Sequence, residues 1–199
     1  MSALIVVDVQ NDFCPGGALA VPDGNVVVSR INQLMSNFET VVLTQDWHPK
    51  GHKSFASSYK QKKIFDTVNT HYGEQILWPD HCIQGSKGAN FHPELDTNQA
   101  NLIIRKGCNP NVDSYSAFFE NDKSTSTGLH GYLQNGGILD LTVVGLATDY
   151  CVAYSALDAA ELGYSVTVRL DMARAIDTDG SLNAAIDKMS KAGVNLENG

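Results

Sequence analysis

The stretch LTVVGLATDYCVAYSALDAAELGYSVTVRL, residues 141–170, decides the fold. It opens on a short apolar, β-branched run, Leu141–Leu146, that reads as a buried strand. Asp149–Leu162 then carries a helix, with Thr148 or Asp149 as its N-cap and Gly163 as its stop. Tyr164–Leu170 is a second strand. A strand, a helix and a strand in succession make a right-handed crossover between parallel strands. The same alternation runs outward in both directions. Strands are expected at Ala3–Val9, Thr40–Thr44 and Leu102–Ile104, and helices at Val26–Phe38 and Thr127–Asn135. Beyond residue 170 a helix is expected over Asp179–Ala192, stopped at Gly193, with a short edge strand at Val194–Leu196. The expectation is an α/β protein: a three-layer α/β/α sandwich with a mostly parallel central sheet. No repeat, low-complexity tract or linker interrupts it, so residues 1–199 read as one domain. Its one long connection runs from Gln45 to about Asn98, and connections of that length in compact domains are often functional.

Composition narrows the function classes. With 43% hydrophobic and 18% charged residues, the chain has a core to bury and is not disordered. The net charge is −8, and no basic run exceeds Lys62-Lys63, which speaks against nucleic-acid and anionic-membrane partners. The four cysteines, Cys14, Cys82, Cys108 and Cys151, form no CxxC pair and no disulfide framework. The N-terminus has no basic leader, and Asp8 interrupts its apolar run. A cytoplasmic protein with free thiols is expected. Pro15-Gly16-Gly17 is too short for a phosphate loop or a dinucleotide fingerprint, so no nucleotide cofactor is expected.

In such sheets, sites form beyond the carboxyl ends of the strands. The residues there are Asp8, Asp46, Lys106 and, one helical turn past the fourth strand, Cys151. Two carboxylates, an ammonium and a thiol would face one crevice. A helix start favours thiolate and offers N–H groups to an oxyanion, so Cys151 is the candidate nucleophile. Asp8 follows an apolar run, where a carboxylate must be paired, and Lys106 is available. The pair is either a structural ion bridge or a general acid/base beside the thiol. No histidine stands at a strand end near Cys151, so a Cys-Asp-Lys set is more natural than a Cys-His dyad.

Asp46-Trp47-His48-Pro49-Lys50-Gly51-His52 contains Asp-x-His-x3-His, and His81 adds a further imidazole. Asp46 and His48 are two apart at a strand end and can point the same way. His52 can fold back across the Pro-Lys-Gly turn. Three imidazoles and a carboxylate suit one divalent ion per chain, and zinc, iron and manganese all accept that set. His71, His92 and His130 lack such neighbours. Trp47, Phe55 and Trp78 lie in the same polar connection, and some of them should line a pocket.

Val7-Asp8-Val9-Gln10-Asn11-Asp12-Phe13, Gln45-Asp46-Trp47-His48-Pro49, Trp78-Pro79-Asp80-His81-Cys82, Lys106-Gly107, Asp113-Ser114-Tyr115-Ser116-Ala117-Phe118 and Gly145-Leu146-Ala147-Thr148-Asp149-Tyr150-Cys151-Val152 occur in order along the chain. Together they resemble the nicotinamidase/pyrazinamidase family of isochorismatase-like cysteine hydrolases. The resemblance implies a catalytic triad of Asp8, Lys106 and Cys151. It implies a metal held by Asp46, His48, His52 and His81, with zinc the first expectation. It also implies a cis peptide at Leu146-Ala147, with the N–H groups of Ala147 and Cys151 forming the oxyanion hole. Phe13, Leu19, Trp78, Tyr115 and Tyr150 would surround a pyridine ring. The implied reaction is deamidation of nicotinamide to nicotinate and ammonia in NAD salvage, with pyrazinamide as a second substrate. A homo-oligomer is compatible with the sequence.

Overall fold

The computed structural model describes residues 1–199. Its strands are β1 (Ser2–Val7), β2 (Thr40–Asp46), β3 (Thr67–Thr70), β4 (Gly73–Ile76), β5 (Leu102–Lys106), β6 (Asp140–Leu146), β7 (Ser165–Arg174) and β8 (Asn195–Glu197). Its helices are α1 (Val28–Met35), α2 (Leu129–Asn135), α3 (Ala153–Glu161) and α4 (Ser181–Lys191). Six strands form one sheet in the order β5-β2-β1-β6-β7-β8, and every neighbouring pair is parallel. Counted within that sheet alone, the order is 3-2-1-4-5-6. The direction of winding reverses between β1 and β6, and such a switch point opens a crevice beyond the strand ends.

The pleat sends alternate residues of β1 to opposite faces. Ala3, Ile5 and Val7 enter a core shared with Leu129 and Leu133 of α2, Ala156 of α3 and Met189 of α4. Leu4 and Val6 enter a second core with Val28, Ile31 and Met35 of α1. These are the three layers expected from the alternation of elements. No helix is long and apolar enough to cross a membrane.

The expected elements are present, and their ends differ. β1 stops at Val7 because Asp8 takes a left-handed backbone, φ 48°. The helix expected over 26–38 is split into a 3-10 turn, Gly24–Val27, and α1. β2 and β5 run on to Asp46 and Lys106. β7 reaches Arg174, four residues past the expected end, after a register shift against β6 between Val143 and Gly145. Gly145 sits at that irregularity with φ 114°, and a Cβ there would lie 2.1 Å from the Val7 carbonyl. Neither Thr148 nor Asp149 caps a helix: the chain enters α3 through a π turn, Thr148–Val152. The 45–98 connection is not wholly irregular. It holds the hairpin β3–β4, whose strands Thr-Val-Asn-Thr and Gly-Glu-Gln-Ile are too short and polar to announce themselves.

Candidate active site

The crevice is built from the ends of β1, β2, β5 and β6. Asp8, in its left-handed turn, is tied to β2 at two points. Its N–H donates to Thr44 Oγ1 at 3.1 Å, and the Thr44 hydroxyl donates to Asp8 Oδ1 at 2.5 Å. Lys106 stands opposite Asp46 in the β2–β5 register, so both side chains leave the sheet on one side. Its ammonium lies 2.5 Å from Asp46 Oδ1 and 2.8 Å from Asp8 Oδ2. It donates to the Ser114 carbonyl at 2.9 Å and to Cys151 Sγ at 3.4 Å. The structure therefore brings Asp8, Lys106 and Cys151 together, with Asp46 as a fourth member. The Asp8–Lys106 approach is ionic, outside hydrogen-bond geometry, and leaves Asp8 Oδ2 without a hydrogen-bond donor. A carboxylate oxygen of Asp8 lies within 4.8 Å of the Cys151 sulfur. A carboxylate beside a thiol is placed to take its proton.

The electrostatics differ from the sequence expectation. Burial pushes the Cys151 thiol well above its ordinary range; Lys106 opposes this, while Asp8 and Asp46 add to it. Burial and the two carboxylates therefore oppose the pull toward thiolate of a helix start. Burial also raises the Asp8 carboxyl, against the pull of Lys106. Burial acts against ionised Asp46 too, but Lys106 and His48 outweigh it and hold that carboxyl well below the usual range. Lys106, flanked by both carboxylates, is held well above its ordinary value despite burial. Asp46 is thus held ionised more firmly than Asp8.

The histidines divide into two groups. His48 Nε2 and His81 Nε2 lie 3.4 and 3.6 Å from Asp46 Oδ2. Their other ring nitrogens are engaged: His48 Nδ1–H donates to the Gly107 carbonyl at 3.0 Å, and His81 Nδ1–H to the Pro79 carbonyl at 2.8 Å. That fixes the tautomers and turns both Nε2 lone pairs toward one carboxylate oxygen, the arrangement a divalent ion requires. Gly107 has φ 65°, and a Cβ there would lie 2.4 Å from the His48 ring, so only glycine admits this contact. The two ligand loops are stitched together. His48 N–H donates to the Cys82 carbonyl at 3.0 Å, and Cys82 N–H donates to Asp12 Oδ2 at 2.7 Å. The structure places His52 apart from the other three expected ligands taken together. It groups with His48 and Asp113 rather than with Asp46 and His81. Its Nδ1 bonds Ser54 Oγ at 2.7 Å and its Nε2 the Asn109 carbonyl at 2.7 Å. These bonds tie the His52 ring to the 109 loop beside His48. On this geometry His81→Ala is expected to lose a bound divalent ion on dialysis, while His52→Asn keeps one per chain; metal analysis of the dialysed variants checks both.

A small cavity opens on this cluster. Phe13, Leu19, Trp78, Tyr115 and Tyr150 line it, with Asp46 and His81 at one side and Ala147 and Cys151 at another. All five residues expected around a ring are there. Tyr115 Oη accepts from Trp78 Nε1 at 3.0 Å and from Gln75 Nε2 at 3.0 Å, which locks the aromatic wall. The Leu146-Ala147 peptide is cis. The Ala147 N–H makes no hydrogen bond within the protein and so is a donor available to an oxyanion.

Sequence reasoning missed Thr44, Asp113 and Ile176. Thr44 is the last residue of its expected strand, and a hydroxyl ending an apolar run was the available signal. Asp113 and Ile176 line the cavity. Asp113 stood in a quoted motif without a role, and Ile176 follows a strand whose end was placed too early. Asp149 acts at a distance from its expected cap: it accepts from the N–H groups of Ile176 and Asp177 and from Ser181 Oγ, holding that segment over the cavity.

A small planar compound entering this cavity meets a buried thiol, a carboxylate near it and the unpaired Ala147 N–H. Fold and crevice together define an α/β protein with a buried thiol, an ammonium and two carboxylates at its topological switch point. The chain belongs to the isochorismatase family, whose domain model matches residues 2–198. It is 54% identical over 192 residues to the nicotinamidase of Acinetobacter baylyi, covering 96% of this chain and 90% of that protein. It is 46% identical over 200 residues to the nicotinamidase of Escherichia coli, covering 98% and 93%. Among solved structures, an Acinetobacter baumanii nicotinamidase and pyrazinamidase superposes with TM-score 0.97 at 53% identity, over 98% of this chain and 94% of that one. PnC1 from L. infantum in complex with nicotinate gives TM-score 0.86 at 39% identity, over 99% and 92%. A pyrazinamidase of Pyrococcus horikoshii in complex with zinc gives 0.79 at 32%, over 98% of each chain.

Proposed function

We propose that this single-domain chain is a cytoplasmic nicotinamidase, hydrolysing nicotinamide to nicotinate and ammonia, and pyrazinamide likewise, through a thioester on Cys151. The observation that carries this reading is the Cys151 sulfur, 3.4 Å from Lys106 Nζ and within 4.8 Å of an Asp8 carboxylate oxygen, at a cavity walled by Phe13, Trp78 and Tyr150. Relatives named nicotinamidase at 46–54% identity support the substrate.

Asp8 Oδ2 takes the Cys151 proton as sulfur attacks the carboxamide carbon. The N–H groups of Ala147 and Cys151 receive the developing oxyanion. Asp8 returns the proton to the leaving nitrogen, and ammonia departs from a thioester. Asp8 then deprotonates a water, whose oxygen attacks the acyl carbon; nicotinate leaves and the thiol is restored. Lys106 keeps Asp8 aimed at sulfur and compensates its charge. Phe13, Trp78 and Tyr150 hold the ring so that attack is effectively unimolecular. Asp46, His48 and His81 would hold the metal, which supplies a Lewis acid for a pyridine nitrogen. Zinc is the first candidate, because it suits two imidazoles and a carboxylate and because the Pyrococcus pyrazinamidase was solved with it.

Ammonia release from nicotinamide, with and without a chelator, tests the reading. Release that falls on chelation and returns with zinc is expected; no release from the metal-replete protein would overturn it. A pH dependence follows from Asp8. The base must be ionised, and its carboxyl titrates above the ordinary aspartate value. Activity should therefore be lost as pH falls through a point above about 3.9, the usual aspartate pKa. An acid limb of kcat/KM centred at or below that value would contradict the assignment.

A further inference from the structure

Gln10 has no part in the chemistry above, yet it is fully buried at the switch point. The backbone ladder between β1 and β2 ends at the pair Val6 and Leu43, because the chain turns away at Asp8. β2 continues to Asp46 with β5 on its other side, where Trp47 N–H donates to the Lys106 carbonyl at 2.9 Å. The edge of Asp46 that faced β1 would be left without a backbone neighbour. The Gln10 carboxamide takes that place. Asp46 N–H donates to Gln10 Oε1 at 2.8 Å, and Gln10 Nε2 donates to the Asp46 carbonyl at 2.9 Å and to the Ala89 carbonyl at 2.8 Å. A flipped amide would put donor on donor and acceptor on acceptor, so the network itself sets its orientation. One side chain thus imitates a strand neighbour for one residue.

That residue serves two partners at once: Oδ1 of Asp46 binds Lys106, while Oδ2 faces His48 and His81. A small tilt of its peptide would draw the carboxylate from both. We infer that Gln10 is a positioning residue whose carboxamide clamp on the Asp46 peptide sets the divalent-metal affinity of the Asp46–His48–His81 cluster. The inference rests on the metal reading above.

Zinc affinity, by competition with a chromophoric chelator, tests it on the full-length protein, together with the absorption spectrum of the cobalt-loaded form. Gln10→Met removes both hydrogen bonds at similar volume. Gln10→Glu keeps the shape but cannot donate to two carbonyls. Asn101→Ala is the control, because Asn101 Oδ1 accepts from Val41 N–H at 2.7 Å and so clamps the opposite end of the same strand. Both Gln10 variants are expected to bind zinc about 10–100-fold more weakly and to alter the cobalt bands. Asn101→Ala should melt earlier with zinc affinity unchanged. Gln10 variants that bind zinc as wild type does would overturn the inference and leave the metal reading standing. A wild type that takes up no zinc would overturn that reading first. If neither Gln10 variant folds, NMR of the wild type decides: slowly exchanging Gln10 side-chain amide protons that shift on zinc loading support the clamp, and rapid exchange or unmoved signals overturn it.

Discussion

Cys151→Ala is expected to lower kcat on nicotinamide by roughly 10⁴- to 10⁶-fold, the loss seen when an enzyme of this type is deprived of its nucleophile. The fold should survive the change. Cys151 Sγ is the longest of the contacts of Lys106, at 3.4 Å, and the ammonium keeps Asp8, Asp46 and the Ser114 carbonyl. Metal content should be unchanged, since Asp46, His48 and His81 lose nothing. Substantial residual turnover in this variant would shift the chemistry away from sulfur and toward water activated elsewhere in the cavity.

Lys106→Met is expected to have the second-largest effect, on stability as well as rate. The ammonium lies between two carboxylates, all fully or almost fully buried. Breaking a buried ion pair by removing one partner costs about 3–5 kcal/mol, because the remaining charge has lost its compensation. Asp8, already raised by burial, loses the charge that opposed that rise. Its carboxyl should then rise further and serve less well as a base, so activity falls with stability. The sign of the pH dependence follows. A carboxyl whose folded pKa is raised above its unfolded value contributes stability at low pH that is lost as pH rises through the folded value. The melting deficit of Lys106→Met relative to wild type should therefore widen with rising pH. A deficit that is small, or that narrows with pH, would mean that Asp8 and Asp46 are not ionic partners of Lys106.

The parallel sheet was legible because its strands are continuous apolar runs, Ala3–Val7 and Leu141–Leu146 among them, separated by helical stretches that stop at Gly163 and Gly193. Asp8, Asp46 and Lys106 were legible from the same runs: each lies within three residues of the point where one gives out. What failed was whatever depends on contacts between distant segments. His52 had ligand spacing, yet Ser54 and Asn109 claim both its ring nitrogens. Asp149 had N-cap chemistry, yet the 176–181 segment claims its carboxylate. The thiolate expected at Cys151 came from its place at a helix start, whereas burial and two neighbouring carboxylates set the opposite direction. Gln10 gave no signal, because an amide among motif residues does not reveal that a strand ladder ends beside it.

The central claim is that Cys151 carries the acyl group. Intact-mass and peptide mass spectrometry of the wild-type enzyme, acid-quenched during turnover of nicotinamide, tests it most directly. The expected result is a population in which one pyridine-3-carbonyl group replaces the thiol hydrogen on the peptide containing Cys151, absent in Cys151→Ala. Steady ammonia release from wild type and Cys151→Ala alike, with no adduct on that peptide at any quench time, would contradict it.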